Sequence, residues 1–316
     1  MKNNTKIVLK NDSPEDLKTA LDCAVRDYNK KMAKRYDKGY KMKDGRQYNN
    51  YMSNKDWESY LAKMKEDHKG RYEMGAGGEL KAGKNPPKMA SFGSSSRFIY
   101  ELSKGIEGFI FEERLDTRVG GTANLDGFLP KGNDYIYVEA KMREIYYPSH
   151  EGQEIKAVYE PVYEAIKRNL SCSQFDFEPK ESIKKNGDVK KGLKKITFKI
   201  NNEPVKYFDL KQLICHFLGI TYDIAKHSVK NAKVIFLYLL YSPEDVEDMI
   251  ENKYRKELMD RYGEVKRFIE EKKDVLKSIF YAVLQYQTDT HKLEKPDIDF
   301  DFKLVDQDDY INELKR

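Results

Sequence analysis

The stretch "LDGFLPKGNDYIYVEAK", Leu125 to Lys141, decides how this chain folds. Two apolar runs joined by a short polar connection describe a pair of antiparallel strands. Alternation along the second run puts Ile136, Val138 and Ala140 on one face and Tyr137, Glu139 and Lys141 on the other. Asp126, in the first run, then lies beside Glu139 across the pair. Each piece has an ordinary reading of its own. An Asp-Gly step often marks a turn, and a Glu-x-Lys pair on a strand is usually a surface ion pair of little energy. The surroundings decide between these readings and chemistry.

Upstream, "SSSRFIYELSKG" has a serine cap and a helical pattern ending at Gly105. "GFIFEERLDTR", "TANLDGFLP" and "DYIYVEAKMRE" follow as three short strands. Downstream, "DLKQLICHFLGITYDIAK" is an amphipathic helix with Leu210, Leu213, Ile214, Phe217 and Leu218 on one face. "AKVIFLYLLY" is a β-branched and aromatic run of the kind buried on both faces of a sheet. The order is helix, three strands, helix, strand, with an insertion at about 146–207 between the third strand and the second helix. Inside it, "KAVYEPVYEAIKRNL" has a helical pattern and "KKITFKINNEPVKYF" reads as a hairpin turning at "NNEP".

Residues 1–90 form a basic helical extension, with a helix start at "SPEDLKTALDCAVRDYNKKMAKRY" and a second helix at "NKDWESYLAKMKEDH". A Gly, Pro and Ser-rich segment marks the boundary near residue 90. Residues 244–316 read as two helices and an acidic tail with one edge strand. Residues 1–90 hold 21 Lys and Arg against 13 Asp and Glu, a balance of +8 within a net charge of +5. A second cluster, Lys184 to Lys199, holds seven lysines and one acid. Basic patches on an otherwise acidic body suit a polyanion, nucleic acid first.

Cys23, Cys172 and Cys215 are odd in number and far apart, which argues against a disulfide framework or structural zinc. The longest apolar run, Val234 to Tyr241, is far shorter than the roughly 20 residues of a spanning helix. "MKNNTKIVLKNDSPEDL" contains no signal-peptide pattern, so a cytoplasmic location and no membrane partner are expected.

Two clustered carboxylates suit a hard divalent cation, and a neighbouring lysine orients water or stabilises charge growing on phosphorus. "LDG" followed 13 residues later by "EAK" at the end of an apolar strand, within this order of elements, resembles the PD-(D/E)xK nuclease superfamily. The resemblance covers about residues 91–243. It implies an α/β, restriction-endonuclease-like core, with a mixed central sheet flanked by helices and helical N- and C-terminal extensions. It also implies Mg²⁺-dependent cleavage of DNA, with Mn²⁺ able to substitute, through a site that maps onto Asp126, Glu139 and Lys141. Leu-Asp stands here where the family's title has Pro-Asp. Many members supply a further acid from the first core helix. Glu101 matches that position, and Glu113 in the first strand competes with it.

Gln212 resembles a glutamine that several members place on the following helix. Lys211 adjoins it, and His216 stands four residues on, on the polar side of the helix. Glu144 is a more distant candidate. The function expected is a metal-dependent endonuclease, with a restriction endonuclease among the candidates. Cutting both strands would favour a homodimer. The competing reading is a non-catalytic nucleic-acid-binding or assembly protein on the same fold.

Overall fold

In the computed structural model, residues 39–48, 50–74, 78–142, 153–184, 187–206, 208–242 and 252–315 are described. The helix expected from Ser13, Cys23, Glu144 and residues 243–251 lie outside the described residues. The fold is built around the apolar run expected to be buried. This is β10 (Lys230–Leu240), one strand in from the edge of a five-stranded sheet. Its alternate residues serve two cores. Val234, Phe236, Tyr238 and Leu240 face one, and Ile235, Leu237 and Leu239 face the other.

A short hairpin, β1 (Tyr40–Lys41) and β2 (Gln47–Tyr48), comes earlier in the chain, and the sheet runs in the order β11 (Asp297–Val305), β10, β5 (Asp134–Lys141), β4 (Thr122–Lys131) and β3 (Ile110–Asp116). The three expected strands are β3 (Ile110–Asp116), β4 (Thr122–Lys131) and β5 (Asp134–Lys141), and they pair antiparallel in sequence. β10 runs parallel to β5 on one side and to β11 (Asp297–Val305) on the other. The sheet is therefore mixed, and helices cover both of its faces. The acidic tail does carry the edge strand, followed by a helix not foreseen from its sequence, α7 (Gln307–Lys315).

On one face lie α1 (Asn54–Lys63), α2 (Glu66–Met74), α3 (Ser95–Ser103) and α7, which bury Trp57, Tyr72, Ile99 and Tyr310 against Val138 and Ala140. Ser94 caps α3 by accepting the Arg97 amide hydrogen. The sequence "NKDWESYLAKMKEDH" reads as one helix, but the chain breaks at Met64. That residue adopts extended angles and buries its side chain.

The opposite face carries α5 (Leu210–Lys226) and α6 (Asn252–His291). Over residues 252–291, α6 is one unbroken helix of 40 residues. Its only helix-weakening residue is Gly263, which costs about 1 kcal/mol. Burial of Val265, Ile269, Leu276, Ile279, Phe280 and Val283 outweighs it.

The insertion joins the same core. β6 (Gln153–Lys156), β7 (Phe175–Ile183) and β8 (Val189–Ile200) form a sheet of order β6-β8-β7, and α4 (Glu160–Asn169) packs on it. A short β9 (Glu203–Pro204) pairs with β8 after the expected turn, where Asn201 and Asn202 both take positive φ. No described helix is long and apolar enough to cross a membrane.

Gly219 sets the height of α5 over the sheet. A Cβ there would sit 2.7 Å from Ala123 Cβ and 2.8 Å from Leu115 Cβ, both fixed to strands. Gly219→Val is therefore expected to cost about 2–3 kcal/mol through overpacking. Chemical denaturation of the purified variant would measure it, and an unchanged midpoint would contradict the packing.

Candidate functional site

Register brings three carboxylates into one row. Gly127 pairs with Val138, so the next position places Asp126 opposite Glu139. Phe111 pairs with Gly127 and Glu113 with Leu125, which places Glu112 opposite Asp126. The row is not regular sheet. Glu112 has φ 51°, in the left-handed region. The strands change face at this point. Ala123 and Leu125 enter one core, while Leu129, of the same parity, enters the other. The glycine after Asp126 marks no turn here. A Cβ on Gly127 would lie 2.2 Å from Phe109 Cζ, so the residue makes room for that ring.

Asp126 Oδ2 accepts the Ala140 amide hydrogen at 2.7 Å, which ties the first acid to the strand bearing the second. Lys141 Nζ donates to Glu139 Oε1 at 2.6 Å and to Gln212 Oε1 at 2.7 Å. Gln212 is held in turn at the start of α5, where its amide donates to the capping carboxylate of Asp209 at 2.8 Å. Nε2 of His216 lies 3.0 Å from Glu139 Oε2, in contact but without the alignment of a hydrogen bond. Glu139 and His216 side chains are 4% and 2% exposed, so this contact is sealed from solvent.

The electrostatics of the three acids diverge. Burial pushes the Glu139 carboxyl up, but Lys141 and His216 together outweigh it and hold the group at about 2. Burial, then repulsion from Glu139, drives Asp126 well above the usual carboxylate range, and Lys141 offsets only part of this. Burial, then Glu79 and Glu139, raises Glu112 to about 7. Glu79 is itself buried and paired with Lys88 at 3.0 Å. The site thus holds more carboxyl groups than its lysine can keep ionised.

Among the described residues, no three Asp, Glu, His or Cys side chains converge closely enough to cage an ion. Mg²⁺ needs only one or two carboxylates besides water and phosphate oxygens. The under-compensated pair of Asp126 and Glu139 fits that requirement.

The other candidates fall elsewhere. Glu101 sits on the far side of the sheet, pairs with Lys104, and lines a separate hollow with Tyr60, Lys63 and Arg97. It does not join the row. Glu113 points toward Arg71, 3.6 Å away, and burial raises its pKa. His216 does not lie on a solvated helix face; it is buried against the row. Glu112 was not among the expected residues, and its left-handed backbone breaks the alternation of a strand. The only signal in the sequence is its place beside Glu113 in the strand next to Asp126.

Gln212 and His216 also line a cleft of about 520 Å³ between the N-terminal half of α5, the start of β4, and the insertion's β6 and β8. Lys211, Lys156, Ile155, Tyr159 and Leu193 complete much of its wall. Several of the insertion's lysines are matched by acids. Lys190 pairs with Glu154, Lys194 with Glu181 and Lys199 with Glu178. No family model, curated protein or solved structure matches this chain.

Proposed function

We propose that this protein is a cytoplasmic, metal-dependent endonuclease that hydrolyses DNA phosphodiester bonds on a restriction-endonuclease-like core. One observation carries the reading: Asp126 accepts a hydrogen bond from Ala140, the residue between Glu139 and Lys141, and Lys141 is fixed between Glu139 and Gln212. Asp126 and Glu139 would hold a Mg²⁺ or Mn²⁺ ion. Bound there, it would supply Lewis-acid polarisation of a phosphoryl oxygen.

The protein's own groups account for the rest. Lys141 offers N–H donors to an attacking water and to charge growing on phosphorus, with its direction set by Gln212 before substrate arrives. His216 supports the far oxygen of Glu139, leaving that carboxylate ionised. Asp126, poorly ionised without a counter-charge, becomes a strong ligand once a cation compensates it. The basic residues of the N-terminal segment would meet phosphates, making binding fall with salt. Cutting both strands would call for two copies of the site, which a homodimer would supply.

The test is incubation of the pure protein with plasmid and linear DNA in Mg²⁺, in Mn²⁺ and in chelator. Cleavage confined to the two metal conditions is expected. Binding without cleavage under all three would favour the non-catalytic nucleic-acid-binding alternative.

A further inference from the structure

We infer that the cleft between α5 and the insertion seats a single unpaired nucleobase of the DNA strand whose phosphate meets Lys141. The inference rests on the endonuclease reading for its substrate and adds to it the form of DNA preferred. Three observations carry it.

The cleft shares two wall residues with the site. Gln212 and His216 belong to its wall, and they touch Lys141 and Glu139 at 2.7 Å and 3.0 Å. A base held in the cleft therefore has its sugar and phosphate beside the row of acids. The wall is also mixed in chemistry. Lys156 and Lys211 share it with the acids Glu154 and Asp209, and Ile155, Leu193 and Tyr159 add apolar surface. A groove for duplex backbone would be uniformly basic, whereas a base presents apolar faces and a polar edge of donors and acceptors.

The insertion supplies the third observation. Lys190, Lys194 and Lys199 are paired with acids of β6 and β7 and so add little net charge toward phosphates. What the insertion does contribute beside the row is the cleft wall itself, through Glu154, Ile155, Lys156, Tyr159 and Leu193. At about 520 Å³, that space lies within the range of pre-formed small-ligand pockets. A base enters it only from a single strand or by leaving the duplex stack, which costs least where pairing is already lost.

The test compares three fluorescein-labelled DNAs by anisotropy, with Ca²⁺ replacing Mg²⁺. They are a short single strand, its perfect duplex, and the duplex with one mismatched base pair. The wild-type chain is expected to bind the single strand and the mismatched duplex at least about tenfold more tightly than the perfect duplex. Leu193→Glu, which puts a charge on the half-buried apolar wall, is expected to abolish that preference while a thermal melt shows it folded.

Equal or tighter binding of the perfect duplex by wild type overturns the inference. So does a preference that survives in folded Leu193→Glu. The wild-type ranking needs no variant, so misfolding of Leu193→Glu leaves the test decisive. Metal-dependent cleavage without any preference sinks the cleft alone. A preference without metal-dependent cleavage sinks the endonuclease reading and leaves the cleft as a binding site.

Discussion

Lys141→Ala is expected to lower the cleavage rate by about 100- to 1,000-fold, the loss typical of removing one preorganised electrostatic donor. The same substitution is expected to destabilise the fold. Lys141 and Glu139 are an enclosed pair, with side chains 11% and 4% exposed. Removing the lysine leaves Glu139 a buried carboxylate with only His216 beside it. Breaking such a pair costs about 3–5 kcal/mol.

The pH dependence separates this from ordinary loss of packing. Glu139 is held at about 2 in the folded protein, below its ordinary 4.5. A depressed carboxylate contributes stability that is present above its unfolded pKa and lost as pH falls through the folded one. The deficit of Lys141→Ala relative to wild type should therefore be largest above about pH 5 and shrink as pH falls from about 4.5 toward 2. Denaturant titrations at several pH values would measure it. A deficit that does not change with pH would place the cost in packing instead. The rate comparison belongs at a temperature where circular dichroism shows both proteins folded.

Asp126→Asn is expected to move activity and stability in opposite directions. Burial and then Glu139 raise the Asp126 pKa, so in the metal-free protein its ionised form is disfavoured. The sign is opposite to that of Glu139. The stability it contributes is present below its unfolded pKa and lost as pH rises through the folded one. Glu112, raised to about 7, adds a loss of the same sign between its ordinary 4.5 and neutrality.

An asparagine keeps an oxygen for the Ala140 amide and removes the repelling charge. In chelator at pH 8 the variant should melt above wild type, and near pH 4 the two should coincide. Added Mg²⁺ should stabilise wild type and leave the variant unmoved. A variant that melts below wild type at pH 8 would contradict the electrostatics assigned to the row. Sites built for function commonly carry this kind of cost.

The sequence carried the sheet further than it carried the site. β5 follows from alternation, β3 and β4 from short apolar runs between turn signals, α5 from a helical apolar stripe and β10 from one unbroken apolar run, because burial on one or two faces imposes those patterns. Asp126, Glu139, Lys141 and Gln212 came together as expected from strand pairing and helix order. Glu112 joins them unforeseen, because its positive φ breaks the alternation and no local residue pattern announces a left-handed glutamate. Glu101 was read onto the site by its place on the first helix. That helix covers the opposite face of the sheet from α5, and its acid meets Lys104 instead.

The insertion was legible as helix and hairpin but not as a wall of the site. Its packing into the core depends on contacts distant in sequence, such as α4 against α6 and Glu203 with Lys272 of α6. Its lysines looked like a phosphate grip in sequence. Their acid partners sit on neighbouring strands, where a charge count along the chain does not see them.

The most direct test is the single-turnover rate of cleavage of a labelled linear DNA as Mg²⁺ is raised, for wild type beside Asp126→Asn. A wild-type rate that rises with Mg²⁺ to a plateau, vanishes in chelator and drops to background in the variant is the predicted result. Wild-type cleavage in chelator, or equal rates for the two proteins, would contradict a catalytic site built on Asp126, Glu139 and Lys141.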